Sequence, residues 1–292
     1  MGIDQFFTFG PGVPFRANQV FTNRERQIQE LHDRFVEHGQ RAWPVPELLD
    51  FQRAASNVIA VAGEGGIGKS TLARHVAELA VKGKLHSLPD NRAYAVVDFA
   101  DPSSSSFEAV LLRVRASLGR LAKSWPAFDV ALAVYWERKH PGESLTALLK
   151  KSSAAESLQM SEQISSTLDQ LLGGFGAISV AYRVLDMLGR SATQNVKLKR
   201  LRTDLPALDP ILGEEDPDRM LGYMPVLLAA DLERVRTKKP TLALCVLDTV
   251  ENLQALPAER GGLEDLVSRL VYLMPNVVFV AASRRPLQWH DP

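Results

Sequence analysis

Apolar and polar positions along the chain alternate between two rhythms. Asn57-Val58-Ile59-Ala60-Val61-Ala62, Tyr94 to Phe99, Thr241 to Leu247 and Asn276 to Ala282 are short apolar runs with β-branched residues. Such runs suit strands buried in a parallel sheet. Between them apolar residues recur every three or four positions, the spacing of one helix face. Ile28, Leu31 and Phe35 share a helix over about Asn23 to His38, and Leu72, His75, Val76, Leu79 and Ala80 line another after the first run. A third follows Ser103–Ser106 to about Leu121, and a fourth spans Leu263 to Tyr272. Trp43-Pro44-Val45-Pro46 interrupts the first helix and reads as a loop. From about Ala122 to Arg236 nearly everything reads as helix and loop, punctuated by Pro141-Gly142, Gly173-Gly174 and Asp216-Pro217, without an internal repeat.

Strands alternating with helices predict an α/β fold, a parallel sheet with helices on both faces. The expected architecture has three layers αβα, with a large all-helical insert between the second strand and the acidic strand that ends at Asp248. The chain divides accordingly into an irregular leader (1–20), the N-terminal half of the core (21–121), the helical insert (122–236) and the C-terminal half (237–292). Its 292 residues, 46% hydrophobic and 23% charged, are ordinary for a globular protein with a full core. Basic and acidic residues balance at 34 each, so no net field points to nucleic acid or an anionic membrane. The single cysteine, Cys245, excludes an internal disulfide and reads as a small core residue. The N-terminus lacks the basic start and apolar stretch of a secretion signal, and the most lipid-like segment, Leu171 to Tyr182, is too short to span a bilayer. The expectation is a soluble protein of a reducing, cytoplasmic compartment, with no membrane partner.

The first apolar run leads straight into Gly63-Glu64-Gly65-Gly66-Ile67-Gly68-Lys69-Ser70-Thr71. This meets the phosphate-loop pattern G-x-x-x-x-G-K-[ST], in which each residue type has a task. The glycines let the backbone wrap an anion with its N–H groups, and the helix starting at Lys69 adds its positive end. Lys69 should reach the β- and γ-phosphates of ATP or ADP, the Ser70 hydroxyl should ligate Mg²⁺, and Thr71 is placed near the α-phosphate. The plain alternative is a Gly-rich turn with no ligand; the strand before and the helix after it are the context the motif demands.

Such a site needs a carboxylate at a neighbouring strand end to hold the magnesium shell. Val246-Leu247-Asp248 supplies one, with Asp98 a second candidate, although an Asp there also forms turns. Thr249 stands where fast ATPases often carry a base. Glu251 can approach the γ-phosphate or simply serve the first turn of the next helix, and both readings stay open. Arg284, with Arg285 behind it, ends the last strand and would sense the γ-phosphate; otherwise it is a solvated charge. These four, Lys69, Asp248, Glu251 and Arg284, are the candidate catalytic residues.

These residues resemble the nucleotide-binding module of STAND-class signalling ATPases, the group that includes NB-ARC and NACHT proteins. Phe21-Thr22-Asn23-Arg24-Glu25 is similar to the F-x-G-R-E segment that packs on adenine there, with Asn23 in place of glycine. Ala62 to Ala73 is similar to the GxGGIGK[ST]-x-L-A loop, Leu247-Asp248-Thr249-Val250-Glu251 to the L-D-x-x-E strand end, and Ala282-Ser283-Arg284 to the first sensor. Tyr135-Trp136 to His140-Pro141-Gly142 resembles the helical insert of bacterial members with tetratricopeptide tails. The resemblance covers about 21–285. It implies a piece of a larger switch, whose helical and winged-helix domains, ADP-locking histidine and sensing repeats lie outside this sequence. The leader is too short for an effector domain.

The expected function is therefore a regulatory switch with slow Mg²⁺-dependent ATP hydrolysis, closed with ADP and assembling with itself or a protein partner when ATP is bound. In bacteria the resemblance implies roles such as antiviral defence or transcriptional control. The alternatives are a nucleotide-binding scaffold without turnover, whose helical insert docks a partner, and an AAA-type mechanochemical ATPase. Thr249 argues against the latter, where an adjacent Asp-Glu pair is expected. A small-molecule kinase fits least, since no segment resembles a substrate lid.

Overall fold

In the computed structural model the described residues are 24–50, 57–151, 154–172, 196–254, 262–287 and 289. Four strands, β1 (Val58–Ala62), β2 (Asn91–Asp98), β3 (Thr241–Asp248) and β4 (Val278–Ser283), form one parallel sheet in the order β1-β4-β3-β2. The helices are α1 (Glu25–Gln40), α2 (Val45–Leu48), α3 (Lys69–Val81), α4 (Phe107–Leu118), α5 (Pro126–Lys139), α6 (Leu145–Lys151) and α7 (Ala155–Leu172). They continue with α8 (Val196–Asp204), α9 (Leu208–Gly213), α10 (Pro217–Arg236), α11 (Glu251–Gln254) and α12 (Leu263–Leu273). Among the described residues between β2 and β3, every regular element is helical.

Alternating strand residues feed two apolar clusters, one on each face of the sheet. Leu242, Leu244, Val246, Val278 and Val280 pack with Leu31 and Phe35 of α1 and with Leu72, Val76 and Ala80 of α3. Ala93, Ala95, Cys245, Leu247, Phe279 and Ala281 pack on the opposite face with α4, α5, α10 and α12. The same cluster runs on through Leu132 and Leu228, so the helices between β2 and β3 share a continuous core with the sheet. Within it Arg115 and Asp129, both fully buried, form a two-pronged ion pair at 3.0 Å that Gln163 and Thr167 complete. Burial pushes the Cys245 thiol above its ordinary value, as suits a core residue rather than a reactive one.

Two expectations need correction. Trp43–Pro46 is not all loop: Val45–Leu48 makes one helical turn, since Pro46 falls in the first turn, where its missing N–H costs nothing. The first strand is not buried as its apolar run suggested. β1 lies at an edge of the described sheet, with Ile59 and Val61 half-buried and Ala60 and Ala62 exposed, whereas β3 and β4 are buried throughout. Strand position decides this, and an isolated run does not carry it. Among the described residues no helix is long and apolar enough to cross a membrane; residues 173–182 of the apolar segment lie outside them.

Candidate functional site

All four strands point their carboxyl ends the same way, and the candidate residues collect there. Ala62 pairs with Ser283 across β1 and β4, and Asp98 pairs with Asp248 across β2 and β3. Because β4 lies between β1 and β3, Arg284 emerges between the Gly63–Thr71 loop and Asp248. The crevice beyond such strand ends is the usual ligand position in open α/β sheets.

Three glycines shape the loop. Gly63 has φ +153°, Gly66 +81° and Gly68 +85°, backbone states that L side chains rarely adopt. Gly68 in its left-handed state turns the chain into α3, whose buried stripe Leu72, Ala73, Val76, Ala77 and Ala80 anchors the loop to the sheet. Lys69 folds back over the loop, donating to the carbonyls of Gly63 at 2.7 Å and Glu64 at 2.6 Å. Glu64, Gly65, Gly66 and Ile67 form an exposed rim, and Thr71 is half-buried in the first turn of α3. Helix α3 begins at Lys69, so its positive N-terminal end and the Lys69 ammonium sit beside the loop.

Ser70 donates to Asp248 Oδ1 at 2.6 Å, which joins the loop to β3. Asp248 is 2% exposed, and its carboxylate is fully engaged. Oδ1 also accepts the Thr249 N–H at 2.9 Å, and Oδ2 accepts Arg74 Nε at 2.9 Å. Thr249 holds φ +57°, costly for a β-branched residue, and its hydroxyl donates to Asp98 Oδ1 at 3.1 Å. Asp98 receives Arg74 at 2.7 Å and the Ala100 N–H at 2.9 Å. Burial works to raise the Asp98 carboxyl, but the Ala100, Thr249 and Arg74 donors outweigh it and hold it below the usual range. Burial likewise opposes the Arg74 charge, and Asp248 and Asp98 more than restore it.

Glu251 begins α11 and pairs with Arg284: Arg284 Nε lies 2.9 Å from Oε1, and the Arg284 N–H donates to Oε2 at 3.2 Å. Glu251 thus stands in the first turn of α11, with each carboxylate oxygen held by Arg284. The Arg284 guanidinium also lies against the loop, its carbon 3.6 Å from where a Cβ on Gly65 would stand. Arg285 bonds through its N–H to Ser283 instead.

Of the segment expected to meet adenine, Phe21 and Thr22 lie outside the described residues. Arg24 caps the start of α1 and donates to the Ile67 carbonyl at 2.8 Å, tying α1 to the loop. Beside it opens a cavity of about 490 Å³ lined by Arg24, Leu31, Ile59, Val61, Ile67 and Leu72, and bordered by Gly68 and Lys69. Gln27, Glu30 and Arg34 of α1 also line it, so the cavity is mixed in character, with an apolar floor and charged groups along α1.

Among the described residues no group of three or more His, Cys, Asp or Glu side chains could hold a metal alone. A magnesium ion carried by a nucleotide needs no such cluster, because phosphate and water oxygens supply most of its ligands. The Ser70 hydroxyl and the Asp248 carboxylate in contact with it would be the protein oxygens open to such an ion. Sequence reasoning missed Arg74. The available signal was its position one helical turn after Ser70, on the same face of α3.

The chain was compared with protein-family models, with curated proteins and with solved structures, and none of the three gives a match.

Proposed function

We propose that this chain binds ATP or ADP with Mg²⁺ as a P-loop NTPase and serves as a slow, nucleotide-controlled switch of the STAND type. The observation that carries the reading is the junction of Lys69, Ser70 and Asp248. A glycine-shaped loop at one strand end is joined through a serine hydroxyl to a buried carboxylate two strands away. Lys69 would exchange the Gly63 and Glu64 carbonyls for phosphate oxygens, at little cost because the ammonium stays paired throughout. Gly65 to Thr71 would hold the phosphates by backbone N–H groups, and the cavity beside Arg24 would take the base. Bound magnesium would neutralise phosphate charge, with Ser70 and Asp248 as its protein partners.

Slow turnover is supported by the surroundings of the γ-phosphate position. Thr249 spends its hydroxyl on Asp98, and Glu251 would keep the Arg284 backbone N–H on Oε2 even when the guanidinium leaves Oε1, so neither is poised to orient water. The same observation favours a second reading, a nucleotide-binding scaffold without turnover. Switching would follow from Arg284 leaving Glu251 for a γ-phosphate, a differential contact that separates ATP from ADP. Denaturing the purified protein and chromatographing the released nucleotide tests the binding claim, with ADP near one per chain expected and Lys69→Ala empty. ATP turnover should stay below about one per minute, far under the typical enzyme range. A rate of several per second would reject the switch, and no measurable turnover with retained ADP would select the scaffold.

A further inference from the structure

Asp248 carries a full complement of donors before any metal is considered. Oδ1 takes the Ser70 hydroxyl and the Thr249 N–H, at 2.6 and 2.9 Å. Oδ2 takes two prongs of Arg74, Nε at 2.9 Å and Nη2 at 2.7 Å. The same Nη2 reaches Asp98 Oδ2 at 2.7 Å. Asp98 and Asp248 are register partners on neighbouring parallel strands, so without a cation between them two carboxylates would face each other at close range. Arg74 has somewhere to go: its side chain is 45% exposed, and Asp98, 29% exposed, lies on the outer side of the buried Asp248 at 3%.

We propose that Arg74 is a built-in counter-cation that competes with a divalent metal for Asp248, so that nucleotide can be held without metal and metal loading requires Arg74 to swing out onto Asp98. This deepens the nucleotide-binding reading above and rests on it. A guanidinium is permanently charged, and here Nε and Nη2 converge on the single oxygen Oδ2, so it holds that oxygen without a metal. A metal shell seeking that oxygen must displace the charge-assisted Nε hydrogen bond and the Nη2 contact beside it. Removing the guanidinium charge leaves a pair of adjacent carboxylates, a stronger attraction for a divalent ion than the compensated trio.

The test is Mn²⁺ binding in the presence of saturating ADP, read from the electron-spin signal of free Mn²⁺, which needs no turnover. ADP binding is measured first in EDTA with a fluorescent ADP analogue. Wild type should bind the analogue in EDTA. Arg74→Gln and Arg74→Met should bind Mn²⁺ about tenfold more tightly than wild type, the loss of roughly one charge-assisted hydrogen bond. Arg74→Lys, which keeps the charge, should stay near wild type and shows that packing of α3 is not the cause. Mn²⁺ affinity unchanged or weakened in both neutral variants would overturn the competition while leaving nucleotide binding intact. Wild type that binds the analogue only with metal would overturn it as well. Failure to bind the analogue under any condition would instead reject the parent reading.

Discussion

Replacing Gly63 by alanine should damage the Gly63–Thr71 loop more than any other single methyl group added there. Gly63 has φ +153°, and a Cβ on it would stand 2.7 Å from Ile67 Cδ1. Ile67 is 45% exposed, so its tip can turn aside cheaply, and most of the cost falls on the backbone. A side chain held in a glycine-only region costs about 1–3 kcal/mol, and the loop can relieve it only by rotating the peptide away from its present course. That rotation would move the Gly63 carbonyl, which now receives Lys69 at 2.7 Å, and misplace the ammonium. If the bound loop must recover the original shape, the strain appears in the binding free energy, a loss of about 5- to 150-fold in ADP affinity. Gly66→Ala is the matched control. Its φ is +81°, but an added Cβ meets nothing within 4 Å, so only the left-handed penalty of about 1 kcal/mol applies. Fluorescent ADP titration of the two variants, with thermal melting to check folding, gives the comparison. Equal affinity in Gly63→Ala and wild type, with both folded, would refute the link between this backbone and the phosphate site.

Two further outcomes are expected. His38 is buried, donates from Nε2 to the Pro275 carbonyl at 2.7 Å, and is pushed down from 6.5 to about 4 by burial, against that bond and with the Arg236 and Arg41 charges assisting. Its contribution is therefore complete above pH 6.5 and is lost as pH falls toward 4, about 2 kcal/mol between pH 6.5 and 5. Asp231 opposes this: burial pushes it up from 3.8 to about 7, so its cost is relieved over the same range as pH falls. The wild-type profile alone is thus uninformative, and the check is urea denaturation of wild type and His38→Gln at pH 7 and 5. The stability gap between them should shrink by about 2 kcal/mol, and parallel profiles would remove His38 from the account. Arg284→Ala should lower ATP affinity about five- to tenfold while sparing ADP, since its pair with Glu251 is 67% exposed on the arginine side and only part of a charged contact is at stake. An equal loss for both nucleotides, measured by competition titration, would sink the sensor role.

The legible parts of this protein are those that local chemistry determines. β3 and β4 are nearly pure apolar runs because both faces are covered, and their extents match the sequence reading to within two residues. The glycine spacing before Lys69 marked a tight loop, and Gly63, Gly66 and Gly68 hold positive φ values that L side chains rarely adopt. What escaped depends on neighbours distant in sequence. β1 reads like β4, yet its place in the strand order leaves it at an edge. Arg74 looks like any exposed helix cation until the pairing of β2 with β3 brings Asp98 and Asp248 beneath it. Glu251 and Arg284 lie 33 residues apart, and only the adjacency of β3 and β4 makes them partners. Thr249 had a legible position but an unforeseen left-handed backbone, stabilised by hydrogen bonds to the two aspartates.

The most direct test of the central claim is calorimetric titration of ADP, with Mg²⁺ present, into wild type and Lys69→Ala. One site per wild-type chain is expected, with affinity at least about a hundredfold weaker in the variant, as when a charged contact of about 3 kcal/mol is removed. No binding by folded wild type, or equal affinity in the folded variant, would contradict it.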